Sequence, residues 1–403
     1  MQTPDIGGMA PVGDAVADPR LQVMLSVPRH PPVIASVPAV LRTAHDVAAL
    51  DGIRRLLLCT ETPDCLNGWR HRLAALPWTE ITSYDGSASI SDQLDPEAPV
   101  LLLAPNGMPD APRFRRWLSW SRERQQPTTW VWHGAPVATY YPEAKRLLES
   151  LPPGCRQFPQ QALSPPDASR VPAPSDSWND VSDAGGIRRA ERRLFLSLRR
   201  SSDGYLARLD RTLSIGLSRL LIRTPITPNG ITTLTLLLGL LGAVLLARGT
   251  SWVSLLGTVV LWSSCVFDGC DGEVARLKIL TSPFGARYDA LADDGVHLAT
   301  FVAILLHLHR VRPDLDLAGP AVVLIIGVVL SMVSVWWLIN RHPADSRTGF
   351  KRLYERLASR DFVYVVVVLT AVERLEWFVW SAAVGANVFW LSLWCAAWRW
   401  RTR

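Results

Sequence analysis

The chain has 403 residues, of which 48% are hydrophobic and 19% are charged, so it is long enough for about two or three domains. Residues 1–185 carry a net charge of −4, whereas residues 186–403 carry a net charge of +10. The basic residues of the second half lie between long apolar runs and form no continuous stripe, which indicates a membrane protein and argues against a nucleic-acid partner.

The first half of the chain has the pattern of a soluble α/β domain. Residues 1–20 are rich in Gly, Pro and Asp and are predicted to form a flexible tail, and residues 21–156 are predicted to form a Rossmann-like domain. Short apolar runs alternate there with helical segments, which predicts a parallel sheet. The predicted strands are Arg54–Cys59, Val100–Ala104 and Thr129–His133, and the predicted helices include Val37–Ala49 and Pro112–Arg122. Residues 157–187 are dense in Pro, Ser and Asp, which predicts a linker.

Residues 188–403 are predicted to form an all-α membrane domain with six transmembrane helices. Arg188–Arg223 is rich in Arg with Leu or Ile at helical spacing, which favours a helix on the membrane surface. Apolar runs near the length of about 20 residues that a bilayer requires then follow. The six runs are Ile231–Ala247, Trp252–Phe267, Asp289–Leu308, Pro320–Asn340, Phe362–Val372 and Trp377–Trp398.

The basic residues between these runs predict the orientation of the domain. One side holds Arg188–Arg223, Arg276–Arg287, Arg341–Arg360 and Arg399–Arg403, whereas the other side holds only four arginines. Those four are Arg248, Arg310, Arg312 and Arg374. Because loops with more Arg and Lys stay in the cytoplasm, we expect a multi-pass protein of the cell (inner) membrane with both termini cytoplasmic.

Four aspartates lie where the second apolar run ends and the third begins. Asp268 and Asp271 are three residues apart, and Asp289 and Asp293 are four residues apart, so each pair shares one face of a helix. Two antiparallel helices joined by a tight turn would bring all four carboxylates together. Like charges at this depth require cations, and oxygen-only ligands favour Mg²⁺, Mn²⁺ or Ca²⁺ over Zn²⁺. The segment therefore predicts a divalent-metal site.

The full spacing of this segment, DxxDGxxAR(x8)GxxxDxxxD from Asp268 to Asp293, resembles the signature of the CDP-alcohol phosphotransferase family. Thr227-Pro228-Asn229-Gly-Ile-Thr232 resembles the family's PNxxT element. The resemblance implies an integral membrane enzyme that forms homodimers and has its active site at the cytoplasmic face. Such an enzyme transfers a substituted phosphate from a CDP-linked donor, CDP-diacylglycerol or similar, to an alcohol and releases CMP in phospholipid biosynthesis.

The resemblance also implies roles for individual residues. Asp268, Asp271, Asp289 and Asp293 would bind Mg²⁺ or Mn²⁺, and Asp293 would also be the general base that takes the proton of the acceptor hydroxyl. The positions that match contacts with the CDP group are Asn229, Thr232, Gly272, Ala275, Arg276, Ser282 and Gly285. Asp294 lies outside the signature and is interpreted as a bystander.

Two weaker patterns bear on the acceptor and on the first domain. Arginines at predicted cytoplasmic ends suit a phosphorylated acceptor, such as inositol phosphate, although the positive-inside rule alone explains most of them. The acceptor candidates are Arg219, Arg223, Arg352 and Arg360. Pro38–Cys59 resembles a unit of sugar-phosphate nucleotidyltransferases, but SVPRH replaces the Gly-rich phosphate loop at Ser26–His30 and no Asp follows Val100–Ala104. A degenerate nucleotidyltransferase-like domain and a generic Rossmann-like scaffold both fit.

Two other functions are alternatives to that of an enzyme. A divalent-cation transporter would need polar residues through the whole bilayer, but the acidic residues cluster at one face. A non-catalytic membrane receptor for CDP-lipids would keep every motif residue, and only a measurement of activity separates it from the enzyme.

Overall fold

The computed structural model describes residues 20–28, 30–48, 53–60, 69, 72, 80–84, 88–199, 205–249, 251–340 and 362–401. These residues form two compact units. The first unit extends to Ser197 and also includes Leu277–Ile279, and the second unit holds the remaining residues from Leu198 onward.

The first unit is an α/β fold built on a mixed sheet. Its described strands are β1 (Leu21–Val27), β2 (Val33–Ile34), β3 (Val37–Pro38), β4 (Ile53–Thr60), β5 (Glu80–Tyr84), β6 (Val100–Leu103), β7 (Gly107–Pro109), β8 (Thr128–Trp132), β9 (Ala135–Tyr141), β10 (Ser169–Pro172) and β11 (Trp178–Asp180). Its described helices are α1 (Ala39–Ala48), α2 (Ala111–Arg122), α3 (Ala144–Glu149) and α4 (Ala184–Ser197). The predicted α/β class is thereby confirmed.

Seven of these strands form one sheet in the order β10-β8-β9-β6-β1-β4-β5. Strand β1, which was not among the predicted strands, pairs in parallel with the predicted strands β4 and β6, but β9 is antiparallel to both β6 and β8. The turn between β8 and β9 explains this difference. It consists of His133 and Gly134, both with positive φ (47° and 83°), and two-residue turns of this kind join antiparallel strands.

The central strands are buried on both faces. Leu21, Val23 and Leu25 of β1 belong to one hydrophobic core, whereas Met24 of the same strand belongs to a second core. Successive side chains of a strand point to opposite faces, so the sheet separates the two cores. Burial on both faces accounts for the continuous apolar runs from which these strands were predicted.

The structure differs from the predicted linker at residues 157–187. Within this stretch, β10 pairs with β8 at the end of the large sheet, and β11 pairs with β7. An edge strand tolerates proline because one side of its backbone has no partner strand. A short edge strand can therefore have the same proline-rich composition as a linker. The predicted surface helix over Arg188–Arg223 is also divided, since α4 belongs to the first unit and ends at Ser197.

The second unit is helical. Its described helices are α5 (Tyr205–Leu221), α6 (Pro228–Ala247), α7 (Ser251–Leu277), α8 (Pro283–Val311), α9 (Ala318–Val335), α10 (Phe362–Ala371) and α11 (Leu375–Arg401). Five of them, α6 to α9 and α11, are long and apolar enough to cross a membrane. The prediction of six such helices is wrong for the described residues, because α10 has only 10 residues and spans about 15 Å of a hydrocarbon layer about 30 Å thick.

Small residues allow α6 to approach its neighbours closely. A Cβ atom on Gly239 would lie 2.6 Å from Cγ2 of Val296 on α8, and one on Gly242 would lie 2.8 Å from Cγ of Leu261 on α7. Close packing through small residues is how membrane helices associate without a hydrophobic driving force. Helices α6, α7 and α8 therefore form a tight group, and this group carries the sequence motif.

Candidate metal centre

Three carboxylates of the motif lie together between α7 and α8. Asp268 and Asp271 project from α7 and Asp289 from α8, and one oxygen atom of each lies within 4.8 Å of the others. Asp268 and Asp271 are 7% and 6% exposed. Oδ1 of Asp289 is buried and has no hydrogen-bond partner among the described residues. A buried carboxylate oxygen without a donor is costly, so these residues fit a divalent cation with oxygen ligands.

The fourth motif aspartate is adjacent to this group but outside it. Asp293, one turn along α8 from Asp289, lines a small cavity together with Asp268. The other residues of the cavity wall are Thr235, Ser264, Cys265, Val296 and His297. Asp293 is therefore close to Asp268 but is not one of the three carboxylates whose oxygen atoms converge.

Thr232 holds one of the three carboxylates in position. Its Oγ1 donates a 2.5 Å hydrogen bond to Oδ2 of Asp271, and it is itself buried at 3% exposure. The other oxygen of Asp271 accepts a hydrogen bond from the backbone N–H of Gly272. The PNxxT element on α6 is therefore linked directly to the metal centre, whereas the sequence resemblance implied a contact with the CDP group.

Helices α6 and α8 begin with the same kind of cap. Thr227 Oγ1 accepts a hydrogen bond from the N–H of Gly230 (3.2 Å), and Ser282 Oγ accepts one from the N–H of Gly285 (3.0 Å). A proline occupies the first turn of each helix, where its missing N–H costs nothing. The hydroxyl of Ser282 thus serves to begin α8.

The two capped helix ends are adjacent. A Cβ atom on Gly285 would lie 3.1 Å from Oδ1 of Asn229, so glycine permits this approach. Helix N-termini carry partial positive charge and free N–H groups, which suit a phosphate. Asn229, Ser282 and Gly285, three of the residues predicted to contact CDP, are brought together here.

The remaining predicted CDP contacts lie on α7. A Cβ atom on Gly272 would lie 3.4 Å from a terminal nitrogen of Arg276, so the guanidinium group lies over the glycine one turn earlier. Arg276 is exposed, and Ala275 beside it is partly exposed. An exposed guanidinium group at the end of the motif helix suits the charge of a pyrophosphate.

The predicted acceptor contacts are only partly covered. Arg219 lies in the last turn of α5 and Arg223 follows that helix, and both are exposed. Arg352 and Arg360 lie outside the described residues.

One motif residue was overlooked in the sequence. Glu273, two residues after Asp271, is completely buried, and its Oε1 accepts hydrogen bonds from Ser214 and Arg211 of α5. The signal available in the sequence was an acidic residue at a variable position of the motif within an apolar helix. Its partners lie about 60 residues earlier, beyond the reach of local patterns.

The family match agrees with this geometry. Residues 225–398, which include all the motif residues above, match the family model described as CDP-alcohol phosphatidyltransferase. Residues 225–398 are therefore a CDP-alcohol phosphatidyltransferase domain, set in a membrane protein that also contains an α/β unit.

Curated relatives share part of the chain. A protein of Aquifex aeolicus named bifunctional IPC transferase and DIPP synthase is 29% identical over 48% of this chain and 44% of its own length. The protein of the same name from Thermococcus kodakarensis is 36% identical over 32% of this chain and 29% of its own. The chain thus spans less than half the length of these relatives. A solved phosphatidylinositol phosphate synthase of Mycobacterium tuberculosis is 22% identical, with a TM-score of 0.31, over 45% of this chain and 95% of that chain.

Proposed function

We propose that the protein is an integral membrane CDP-alcohol phosphotransferase. It transfers a substituted phosphate from a CDP-linked donor, CDP-diacylglycerol or similar, to an inositol phosphate and releases CMP in phospholipid biosynthesis. The observation that carries the proposal is the group of three carboxylate oxygens from Asp268, Asp271 and Asp289, with Asp293 lining the adjacent cavity. The names of the relatives, which contain a transferase and a synthase activity, support the same reaction class.

Asp268, Asp271 and Asp289 would hold Mg²⁺ or Mn²⁺. The metal, when bound, supplies positive charge that stabilises the pyrophosphate and the departing CMP. Thr232 fixes the orientation of Asp271 through its 2.5 Å hydrogen bond. The CDP group would contact Asn229, Ser282 and Gly285 at the adjoining N-terminal ends of α6 and α8. It would also contact Gly272, Ala275 and Arg276 near the end of α7.

Asp293 would act as the general base, since it lines the cavity beside Asp268, one of the three converging carboxylates. The hydroxyl oxygen of the acceptor attacks the phosphorus distal to cytidine, and its proton moves to a carboxylate oxygen of Asp293. The bond between that phosphorus and the bridging oxygen breaks, and the electron pair leaves with CMP. One P–O bond forms as one breaks, and Asp293 later returns its proton to water.

The acceptor site, orientation and assembly also belong to the proposal. Arg219, Arg223, Arg352 and Arg360 would contact the phosphate of the acceptor, since guanidinium groups form paired hydrogen bonds with phosphate. The protein would form a homodimer in the cell membrane, with its termini and metal centre on the cytoplasmic side. The nucleotidyltransferase-like ancestry of the first domain stays a prediction.

The test is release of CMP by the full-length protein, purified in detergent and supplied with CDP-diacylglycerol and Mg²⁺ or Mn²⁺. The acceptor is varied between inositol 1-phosphate, glycerol 3-phosphate and no acceptor. We expect release that requires inositol 1-phosphate. Release with glycerol 3-phosphate alone would contradict the proposed acceptor, and donor binding without release under any condition would favour a receptor.

A further inference from the structure

Helix α7 is held from two sides at the motif. Asp271 and Glu273 are two residues apart, so on a helix with about 3.6 residues per turn they point to nearly opposite sides. Asp271 is hydrogen-bonded to Thr232 of α6, whereas Glu273 is hydrogen-bonded to α5. The metal face of α7 is thus set by one helix and its opposite face by another.

The contact between α5 and α7 is close and specific. Ser214 Oγ donates a 2.7 Å hydrogen bond to Oε1 of Glu273, and Arg211 donates a longer one of 3.3 Å to the same atom. A Cβ atom on Gly269 would lie 3.2 Å from the side chain of Ser214, and Cys270 Sγ lies 3.5 Å from the carbonyl oxygen of Ser214. Ser214 therefore contacts Gly269, Cys270 and Glu273, which share one face of α7.

Glu273 is buried, so its carboxylate depends on the groups that donate hydrogen bonds to it. Its side chain has no exposed surface, while the side chain of Arg211 is 21% exposed. Oε2 of Glu273 has no hydrogen-bond partner among the described residues, so the position of the carboxylate depends on Oε1 alone. Burial of a carboxylate is costly unless it is hydrogen-bonded, so the two hydrogen bonds to Oε1 hold this side chain in place.

We propose that Glu273 is a positioning residue for the metal centre. By binding Ser214 and Arg211, it fixes the rotation of α7 about its axis and so sets the separation of Asp268 and Asp271 from Asp289. Groups behind metal ligands commonly change metal affinity by about 10- to 100-fold when removed. This inference rests on the proposed function, because it assigns a metal to the three carboxylates.

The test measures Mn²⁺ affinity by electron paramagnetic resonance on the full-length protein in detergent, without substrate. The variants are Glu273→Gln and the milder Ser214→Ala, which removes one hydrogen bond and keeps the charges. The matched control is Asp210→Asn, since Asp210 is also on α5 but accepts its hydrogen bond from Tyr364 of α10. Thermal midpoints without metal identify any variant that fails to fold.

We expect Glu273→Gln to weaken Mn²⁺ binding about 10-fold, Ser214→Ala to weaken it less, and Asp210→Asn to leave it unchanged. Addition of Ser214→Ala to Glu273→Gln should cost less than the two single effects combined, because both act on one contact. Variants that lose thermal stability but bind Mn²⁺ as the wild type does would overturn the proposal. An equal loss in Asp210→Asn would also overturn it, as would a wild-type protein that binds no Mn²⁺.

The result is separable from that of the activity assay. If the wild type binds Mn²⁺ and the variants weaken it, but CMP is never released, the proposed reaction fails and the role of Glu273 stands. If CMP is released and Mn²⁺ affinity is the same in all variants, the proposed reaction stands and the role of Glu273 fails.

Discussion

The two units differ in where their acidic side chains lie. In the α/β unit, β1 pairs with β4 on one side and β6 on the other, and the crevice beyond such a strand is where open α/β sheets bind ligands. There Thr43 Oγ1 donates a 2.9 Å hydrogen bond to the carbonyl oxygen of Gly107, and the indole of Trp178 leaves no room for a Cβ atom on Gly107. A small cavity remains in this crevice, and none of the residues that line it is charged. They are Leu25, Ser26, Ala39, Val40, Thr43 and Ala104–Gly107.

In the helical unit, polar groups converge and remain incompletely paired. Asp289 keeps a buried oxygen without a partner among the described residues, next to Asp268 and Asp271. Buried polar atoms without a partner among the described residues occur in both units, for example Nε1 of Trp117 and Trp130 in the α/β unit and Oε2 of Glu273 in the helical unit. The convergence of three carboxylates, rather than the unpaired oxygen alone, therefore indicates a cation site. The difference teaches that acidic side chains converge in the helical unit, whereas the residues that line the crevice of the α/β unit are uncharged.

The largest effect is expected from loss of a carboxylate at the metal centre. Asp271→Ala and Asp289→Ala each remove one of three oxygen donors, so Mn²⁺ binding and CMP release should both fall to background. Asp314→Asn is a matched control, because Asp314 is an exposed carboxylate that pairs with Arg312. Chelation of metal from the wild type should abolish CMP release, and added Mg²⁺ should restore it. Metal binding by Asp289→Ala at wild-type affinity would contradict the assignment.

A large loss of rate is expected when the proposed base is neutralised. Asp293→Asn keeps the shape of the side chain but cannot take a proton, so kcat should fall about 10²- to 10⁴-fold. Mn²⁺ affinity should stay close to that of the wild type, because Asp293 lies outside the group of three. The neighbouring variant Asp294→Asn should retain activity. Single-turnover CMP release separates the two variants, and equal rates would show that Asp293 is not the base.

A smaller effect is expected when a variant removes only a hydrogen bond to one of the metal-binding carboxylates. Thr232→Val keeps the volume but deletes the hydrogen bond to Asp271, and should weaken Mn²⁺ binding about 10- to 100-fold. Thr233→Val is its matched control, since the Thr233 hydroxyl is exposed and hydrogen-bonds with Tyr288. An unchanged Mn²⁺ affinity in Thr232→Val would return Thr232 to the predicted role of a CDP contact.

Much of this arrangement was predictable because it is local. The spacing of Asp268 and Asp271 places both on one face of a helix, and short apolar runs separated by helices predicted β4, β6 and a parallel sheet. Strand β1, which joins β4 and β6, was not predicted. The contact of Glu273 with α5 was not predictable, because it joins residues far apart in sequence. The antiparallel direction of β9 was not predictable, because it follows from the conformation of a two-residue turn. Strand β10 was not predictable either, because its composition does not show that it pairs with β8.

The smallest effect tests the α/β unit. Asn106, in the turn between β6 and β7, has a left-handed backbone with φ of 58°, and its carbonyl oxygen accepts a hydrogen bond from the N–H of Val181. Asn tolerates this conformation better than Ala does, so Asn106→Ala should lower the free energy of opening of β6 by about 1 kcal/mol, whereas Asn106→Gly should not.

Hydrogen exchange of the β6 amides, followed by mass spectrometry, measures this opening, and CMP release is measured on the same samples. We expect the opening free energy to change in Asn106→Ala while CMP release stays at the wild-type level, since no charged residue lines the crevice and the carboxylates converge in the helical unit. A selective loss of CMP release in both Asn106 variants, with unchanged exchange, would mean that the crevice takes part in the reaction. Both units would then take part in the reaction that we propose for the helical unit.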